Sequence, residues 1–380
     1  MQSIDRFRQR LSLLLALLSC AVAPRSALAG PYSDLIVFGD SLSDVGNTSY
    51  WTLGVAPGSN YYQGRFSNGP TYAERLSAGL GLGALTRDGA GGDNFAYGGA
   101  ETNGPGGFEG LFLNSLVEQV TTYLNRLNGA TPNPQTLFVV FIGANDYLRG
   151  GQTSATTPAS VVQTQLNRLI SAGARQLLGV NLPLLGLTPE YSTNPTGAAT
   201  ISGRAAAYND ALENVYASVE TANPTVTIHR LDVESLFSGF LDNATELGFT
   251  NTTQQGRTAS GGSLDGAPGY VFWDGVHPTR EAHALLGEAA IRAVLPDGDY
   301  NRDGVLSAND YDAWNTAYGT AFNAFAGLTP SLGADGNGDG RVDAADYTLW
   351  RDRLGPMATA VPEPAAAVYL LFALLVRRRS

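Results

Sequence analysis

Between Gly30 and about Pro296, short runs of β-type apolar residues alternate with longer stretches of helical periodicity, an order that few architectures accept. Strands that take turns with helices pair in parallel, and the crossover helices cover both faces of one sheet. The best strand candidates are Leu35 to Phe38, Thr136 to Ile142, Gln176 to Leu182 and Val226 to Leu231. Strands this apolar predict burial on both faces. Helices are expected over Pro70–Leu80, Glu109–Leu127, Pro158–Ala172 and Ser202–Thr221, with a last one starting near Thr279, where a capping residue precedes Ala-rich helix formers.

Both ends of the chain read as addresses. Residues 1–29 place Arg6, Arg8 and Arg10 before the apolar run Leu11–Ala23 and end on small residues at Ala27-Leu28-Ala29, the pattern of an export signal. At the far end, Val361-Pro362-Glu363-Pro364 precedes twelve apolar residues, Ala365 to Val376, and then Arg377-Arg378-Arg379. That run is shorter than the ~20 residues that span a bilayer comfortably. Residues 356–380 resemble the PEP-CTERM sorting signals of exported bacterial proteins, which implies a transient or processed membrane anchor and a secreted or cell-surface location. An ordinary packed C-terminal helix is the alternative, and terminal arginines argue against its burial. The two ends carry +3 and +2 of a net charge of −11, which leaves −16 for the body; there is no lysine. Nucleic acid is therefore not an expected partner. Cys20 is the only cysteine, so a disulfide framework, a cysteine zinc site and a thiol nucleophile are all excluded as expectations.

Residues 297–355 contain a repeat. Asp299, Asn301, Asp303, Gly304, Ser307 and Asp310 are echoed 36 positions later by Asp335, Asn337, Asp339, Gly340, Asp343 and Asp346. The following turns match as well, Tyr311 and Trp314 against Tyr347 and Trp350. This is calcium-loop spacing: oxygens at positions 1, 3 and 5, a glycine at 6 for the sharp turn, a carbonyl at 7 (Val305, Arg341), an oxygen at 9 and a carboxylate at 12. Asp in place of Glu at position 12 departs from the ordinary EF-hand. Together with the paired repeats it resembles a type I dockerin, which implies a small all-α domain holding two calcium ions and a cohesin-type protein partner. An acidic linker is the plain alternative, but it has no reason to repeat the Tyr and Trp positions.

Three motifs carry chemistry. The first strand runs into Gly39-Asp40-Ser41-Leu42, which sets a serine at the carboxyl end of a strand, where open α/β sheets bind ligands; Ser41 is equally suited to cap a helix. Gly143-Ala144-Asn145-Asp146 follows the second strand, where an Asn amide can donate to a developing oxyanion or simply form a turn. In Trp273-Asp274-Gly275-Val276-His277-Pro278, an Asp and a His three apart on one loop can lie side by side, the carboxylate orienting the imidazole that takes a proton from serine. Of the other histidines, His229 sits in a strand-like run and reads as structural, and His283 in the last helix reads as a surface or packing residue.

Taken together these motifs resemble the GDSL or SGNH hydrolases over nearly all of residues 30–296. The resemblance implies a flavodoxin-like three-layer α/β/α sandwich and a triad of Ser41, Asp274 and His277. It also implies an oxyanion hole made by Asn145 and the amides of Ser41 and a block-two glycine. In Asn94-Phe95-Ala96-Tyr97-Gly98-Gly99-Ala100 the family spacing points to Gly99, with Gly98 the neighbouring choice. Catalysis would need no cofactor, and the substrate would be a carboxylic ester. Gly64-Arg65-Phe66-Ser67-Asn68-Gly69-Pro70, and Asn181-Leu182-Pro183 leading to Leu187-Thr188-Pro189-Glu190, resemble the lipase and esterase branch. A carbohydrate acetylesterase is a second reading, because dockerins accompany glycan-degrading enzymes, and a non-catalytic surface protein is a third. Residues 250–269 and Thr102–Gly110 are candidate covers for the acyl pocket or plain surface insertions.

Overall fold

The computed structural model describes residues 30–104, 114–321 and 333–355. The two terminal segments read as an export signal and a sorting tail, and most of the candidate cover Thr102–Gly110, lie outside the described residues. Four strands, β1 (Asp34–Gly39), β2 (Thr136–Phe141), β3 (Gln176–Val180) and β4 (Thr227–Leu231), pair in parallel in the order β1-β2-β3-β4. Residues 93–97 run along the outer edge of β1, with Phe95 N donating to Val37 O at 2.7 Å and Tyr97 N to Gly39 O at 3.1 Å. Counting that edge segment as the second strand in sequence, the spatial order is 2-1-3-4-5, the flavodoxin arrangement. The segment is too irregular to show the alternation of a strand, and the sequence reading places none there.

In chain order the helices are α1 (Asn47–Trp51), α2 (Tyr72–Gly79), α3 (Leu116–Leu127), α4 (Ala144–Leu148), α5 (Thr156–Ala172), α6 (Pro195–Ala222), α7 (Val233–Asp242), α8 (Gly256–Ala259), α9 (Arg280–Val294), α10 (Asn309–Ala317) and α11 (Ala344–Leu354). Capping boxes at Thr71/Glu74 and Ser115/Glu118 open α2 and α3, and Thr279 caps α9. Helix α6 starts seven residues before Ser202 because Pro195 occupies its first turn and the Asn194 side chain accepts from Gly197 N; residues 195–201 lack an apolar period that would announce it. Helix α7 is absent from the sequence reading. It follows β4 after the single cap residue Asp232, whose side chain accepts from Ser235 N.

Two aromatic contacts fix the layers. Phe138 and Phe141 are three apart on β2 and so point to opposite faces. Phe138 meets Tyr123 of α3, and Phe141 meets Tyr72 of α2, at centroid separations of 5.6 and 5.7 Å. Val140 shares the Phe138 face and lies opposite Gly179 in register, where a Cβ would stand 2.4 Å from the Tyr216 ring of α6. Helices α3 and α6 therefore cover one face and α2 the other, joined there by α9, which packs on α2. Residues 251–255 and 270–272 form a separate two-stranded pair, β5 and β6, flanking α8; this is the stretch read from sequence as a cover or insertion. Among the described residues no helix is long and apolar enough to cross a membrane.

Candidate active site

Strand β1 ends at Gly39, where a side chain would collide with the Phe141 carbonyl at 2.5 Å, and both of its backbone polar groups are held by Gln119 of α3, N–H to Oε1 at 2.9 Å and Nε2 to carbonyl at 2.8 Å. The chain then turns sharply, with the amides of Ser43 and Asp44 donating to the Asp40 carbonyl and Leu42 N donating to the Asp40 carboxylate. No helix starts at Ser41, so the capping role is not realised; α1 begins after Gly46. Ser41 is left facing a cleft with its Oγ 2.7 Å from His277 Nε2.

The other ring nitrogen, Nδ1, lies 2.8 Å from Asp274 Oδ2 and 2.9 Å from Oδ1. The Asp274 carboxylate also accepts from the amides of Val276 and His277 and, at 2.6 Å, from the hydroxyl of Tyr61. Burial alone raises an acid's pKa, but the charge of His277 and the hydrogen bonds from His277, Tyr61 and Val276 outweigh it here, holding Asp274 well below the usual carboxylate range. Burial and the Asp274 charge push the Tyr61 phenol far above its ordinary value, so it stays a donor. Sequence reasoning missed Tyr61, which lies 213 residues from its partner in an uncharged loop.

The phrases that sequence reading noted only as a resemblance hold this corner together. Ser67 donates to the Pro278 carbonyl, Asn68 accepts from Arg280 N, and the Phe66 ring lies 5.2 Å from the His277 ring. From the other side Glu190 N donates to Gly275 O at 2.9 Å, and Trp273 N closes the loop on the His277 carbonyl at 2.8 Å.

Two buried aspartates tie the motifs together, and a third, Asp40, stays within its own turn. The Asp44 carboxylate accepts from the amides of Gly46, Asn47, Thr48 and Gly98, tying the Ser41 turn to the Asn94–Ala100 segment. The Asp146 carboxylate accepts from both N and Oγ1 of Thr102, tying the Gly143–Asp146 motif to the chain just past Ala100. Asp40, fully buried, has its carboxyl pushed up to about 6 by that burial, with the Leu42 amide and His277 pulling the other way. Asn145, in the first turn of α4, donates from Nδ2 to Ala100 O at 3.0 Å, which leaves its second N–H for another acceptor. The Gly98 amide is taken by Asp44 and by Thr48 Oγ1 at 2.7 Å. Gly99, with φ of +81°, lines the cleft beside Ser41, Asn145 and His277. That cleft is a cavity of about 510 Å³ whose remaining wall is largely apolar, built from Leu42, Leu148, Leu182, Leu185 and Val276. His229 and His283 are elsewhere: His229 lies 3.2 Å from the Tyr32 hydroxyl, and His283 is fully buried against the Tyr72 amide.

With this geometry in view, the GDSL-like lipase/acylhydrolase model matches residues 35–290. The chain belongs to this family. GDSL enzymes hydrolyse carboxylic esters and need no cofactor for catalysis. Among curated relatives, the secreted effector protein SseJ of Salmonella typhimurium is 29% identical over 271 residues, 68% of this chain and 63% of its own length. The phosphatidylcholine-sterol acyltransferase of Aeromonas hydrophila is 28% identical over 309 residues, 68% of this chain and 89% of its own. The chain thus spans just under two thirds of SseJ and most of the acyltransferase. A solved lipolytic protein of the G-D-S-L family from Veillonella parvula aligns over 68% of this chain and 96% of its own, at 14% identity and a TM-score of 0.39.

The second set of predicted residues forms two loops of matching construction. In each, the position-1 carboxylate (Asp299, Asp335) accepts from the glycine amide at position 6, and the position-12 carboxylate (Asp310, Asp346) accepts from the amides at positions 3 and 9. Gly304 and Gly340 take φ of +84° and +86°. The tryptophans are exchanged: Trp314 Nε1 donates to the Asp343 carbonyl and Trp350 Nε1 to the Ser307 carbonyl, which explains why those positions occur twice. Asp303 and Asp339 are turned onto the Asn301 and Asn337 side chains and the amides of Val305 and Arg341. Among the described residues no group of three or more His, Cys, Asp and Glu is arranged to hold a metal ion.

Proposed function

We propose that the protein is an exported serine esterase of lipase type that works through an acyl-enzyme. The observation that carries this is the unbroken line from Asp274 through His277 to Ser41, at 2.8 and 2.7 Å. His277 Nε2 takes the Ser41 proton as Oγ attacks the ester carbonyl, and Asp274 stabilises the imidazolium. The carbonyl oxygen, now negative, is held by Asn145 Nδ2 and the amides of Gly99 and Ser41. Commitment of the Gly98 amide to Asp44 and Thr48 favours Gly99 as the glycine donor. The alcohol leaves with the proton from His277, and water, activated by the same imidazole, releases the acid and restores Ser41.

A cavity of about 510 Å³, mostly apolar with Asp40, Glu101 and Arg149 its charged members, is far larger than an acetyl group needs, which supports a longer apolar acyl chain over acetylated polysaccharide. Ser41→Ala should abolish p-nitrophenyl ester hydrolysis and labelling by a fluorophosphonate while leaving the circular dichroism spectrum unchanged. Retained turnover would overturn the assignment.

Residues 297–355 are proposed to bind two calcium ions and to dock to a cohesin-type partner, with residues 1–29 directing export and residues 356–380 acting as a processed anchor. Support for the calcium sites comes from Asp299 and Asp335, whose carboxyls are pushed up to about 6 by burial, and from Asp310 and Asp346, raised by the same cause. A bound cation would supply the charge those buried acids lack. The ligands would be Asp299, Asn301, Asp303, the Val305 carbonyl, Ser307 and Asp310, and their counterparts Asp335, Asn337, Asp339, the Arg341 carbonyl, Asp343 and Asp346.

A further inference from the structure

Of the seven large hydrophobic side chains that stand exposed among the described residues, four lie within six consecutive positions: Tyr50, Trp51, Leu53 and Val55. Leu53 is 92% and Val55 81% exposed, close to what an unfolded chain would show. A fifth, Leu187, sits between cavity-lining Leu185 and Thr188. The tip is also strained, since Leu53 holds a left-handed φ of +52°, a conformation that a branched side chain adopts only when its surroundings impose it. Here those surroundings are the turn itself: Leu53 N donates to the Tyr50 carbonyl, and Thr52 Oγ1 donates to the Thr48 carbonyl and accepts from Ala56 N, so the apolar tip is held outward. Thr52 meanwhile lines the catalytic cavity. The patch is therefore continuous with the mouth through which substrate reaches Ser41.

We propose that this rim, Tyr50 to Val55, is an interfacial docking surface that seats the enzyme on an uncharged lipid surface and presents the cavity to the ester lying in it. Charge supports that occupant. From Val45 to Gly64 there is no charged residue, whereas the body of the chain carries −16, so an anionic membrane would repel the molecule while a neutral surface would not. The composition of the patch supports it as well. Trp51 and Tyr50 present amphipathic rings of the kind that settle at a lipid boundary, with Trp51 Nε1 satisfied by the Tyr97 hydroxyl and the Tyr50 face covered by Arg87. Leu53 and Val55 offer only aliphatic surface, which can be buried in acyl chains but can neither stack on a sugar ring nor hydrogen-bond to its hydroxyls. The inference rests on the ester-hydrolase reading for what is presented to the cavity, but the docking itself is independent of turnover.

The tryptophans make the contact measurable. Trp51 is about half exposed, while Trp273, Trp314 and Trp350 are buried, so a quencher dissolved in lipid reports on Trp51 alone, even if another part of the full chain tethers it to the vesicle. The full chain carrying Ser41→Ala is mixed with phosphatidylcholine vesicles whose acyl chains are brominated. Emission should be quenched, and Trp51→Phe should remove the quenching. Leu53→Ser with Val55→Ser should weaken it by at least about tenfold, given what burying each aliphatic side chain contributes. With Ser41 intact, the double variant should lose vesicle-borne ester hydrolysis by a similar factor and keep its rate on soluble p-nitrophenyl acetate. Absence of quenching in chains that float with the vesicles, or equal quenching in the double variant, would overturn the proposal, as would a Trp51 response to acetylated xylan in place of vesicles. Failure of the ester-hydrolase reading would show separately, as p-nitrophenyl acetate turnover that survives Ser41→Ala.

Discussion

Replacing Tyr61 by Phe removes one oxygen from the catalytic corner and leaves its packing intact. The ring contacts Phe66 at 6.3 Å and lies under the Arg257 guanidinium at 5.4 Å, and a Phe ring keeps both. What is lost is the 2.6 Å hydrogen bond to Asp274 Oδ2, made to a charged acceptor that is only 7% exposed. Such a bond contributes about 1.5–3 kcal/mol, and stability at pH 7 should fall by that amount. The rate should change far less. Oδ2 still faces Nδ1 at 2.8 Å, and Oδ1 keeps the amides of Val276 and His277, so the loss is shared by ground and transition states. We expect less than about a tenfold change in kcat on p-nitrophenyl acetate, corresponding to about 1.4 kcal/mol. The pH dependence has a definite sign. Asp274 is held below its ordinary value of 3.8, so the stabilisation tied to its charge is complete above that pH and is lost as pH falls toward the folded-state value. Urea denaturation should therefore show both proteins losing stability together as pH falls below about 4, with the gap between them shrinking only at still lower pH, where Asp274 of the variant, still held by His277 but without the Tyr61 hydroxyl, takes up its proton first. An unchanged stability at pH 7 would refute the hydrogen-bond argument, and a hundredfold loss of kcat would show that the hydroxyl acts on the reaction itself.

Asn145→Ala should lower kcat by about 10²–10³ with little change in KM, as expected for a donor engaged only when the oxyanion forms; a pure KM effect would contradict that role. His283, pushed down to about 3 first by burial and then by His277 and Arg75, takes up a proton only on unfolding, so stability should fall as pH drops from 6.5 toward 3, by up to about 1.4 kcal/mol per pH unit. His283→Leu should flatten that slope in urea titrations at successive pH values. Isothermal titration of the full chain should find two calcium ions, Asp310→Asn and Asp346→Asn each removing one, and calcium at a hundred times Kd should add about 2.7 kcal/mol per site to the stability of the module.

What the sequence made legible were features written into consecutive residues. A run of apolar residues ending in Gly39-Asp40-Ser41 specifies a strand and the turn that exposes a serine, and Asp274 to His277 span a loop short enough to meet across their own backbone. The calcium-type loops are legible for the same reason, each being twelve residues folded on itself. What remained hidden depends on long-range contact. Tyr61 looks like one more polar residue in an uncharged loop, and Gln119 like a solvated position of an amphipathic helix, until β1 brings Gly39 within 2.9 Å of it. The edge segment at 93–97 is assembled by Asn47, which donates to the Asn94 and Ala96 carbonyls, and its own sequence contains no strand pattern. Strand β5, Asn251–Gln255, is polar and only partly covered, so hydrophobic alternation had nothing to mark.

The acidic residues inside the motif blocks show how the site keeps its shape. Asp40, Asp44 and Asp146 are buried, and each has its carboxyl pushed up by desolvation, which is costly for a charged group. Backbone amides offset that cost: Leu42 for Asp40; Gly46, Asn47, Thr48 and Gly98 for Asp44; Thr102 for Asp146. Since Gly98 and Thr102 flank Gly99 along the chain, Asp44 and Asp146 clamp the block-two loop from both sides, one from the serine's turn and the other from the asparagine's helix. On the proposed mechanism this fixes the Ser41 and Gly99 amides and the Asn145 side chain in one frame before substrate arrives, so little reorganisation is left when the negative charge develops. Residues that read in sequence as turn formers thus act through the backbone they hold, and removing one should misplace donors it never touches.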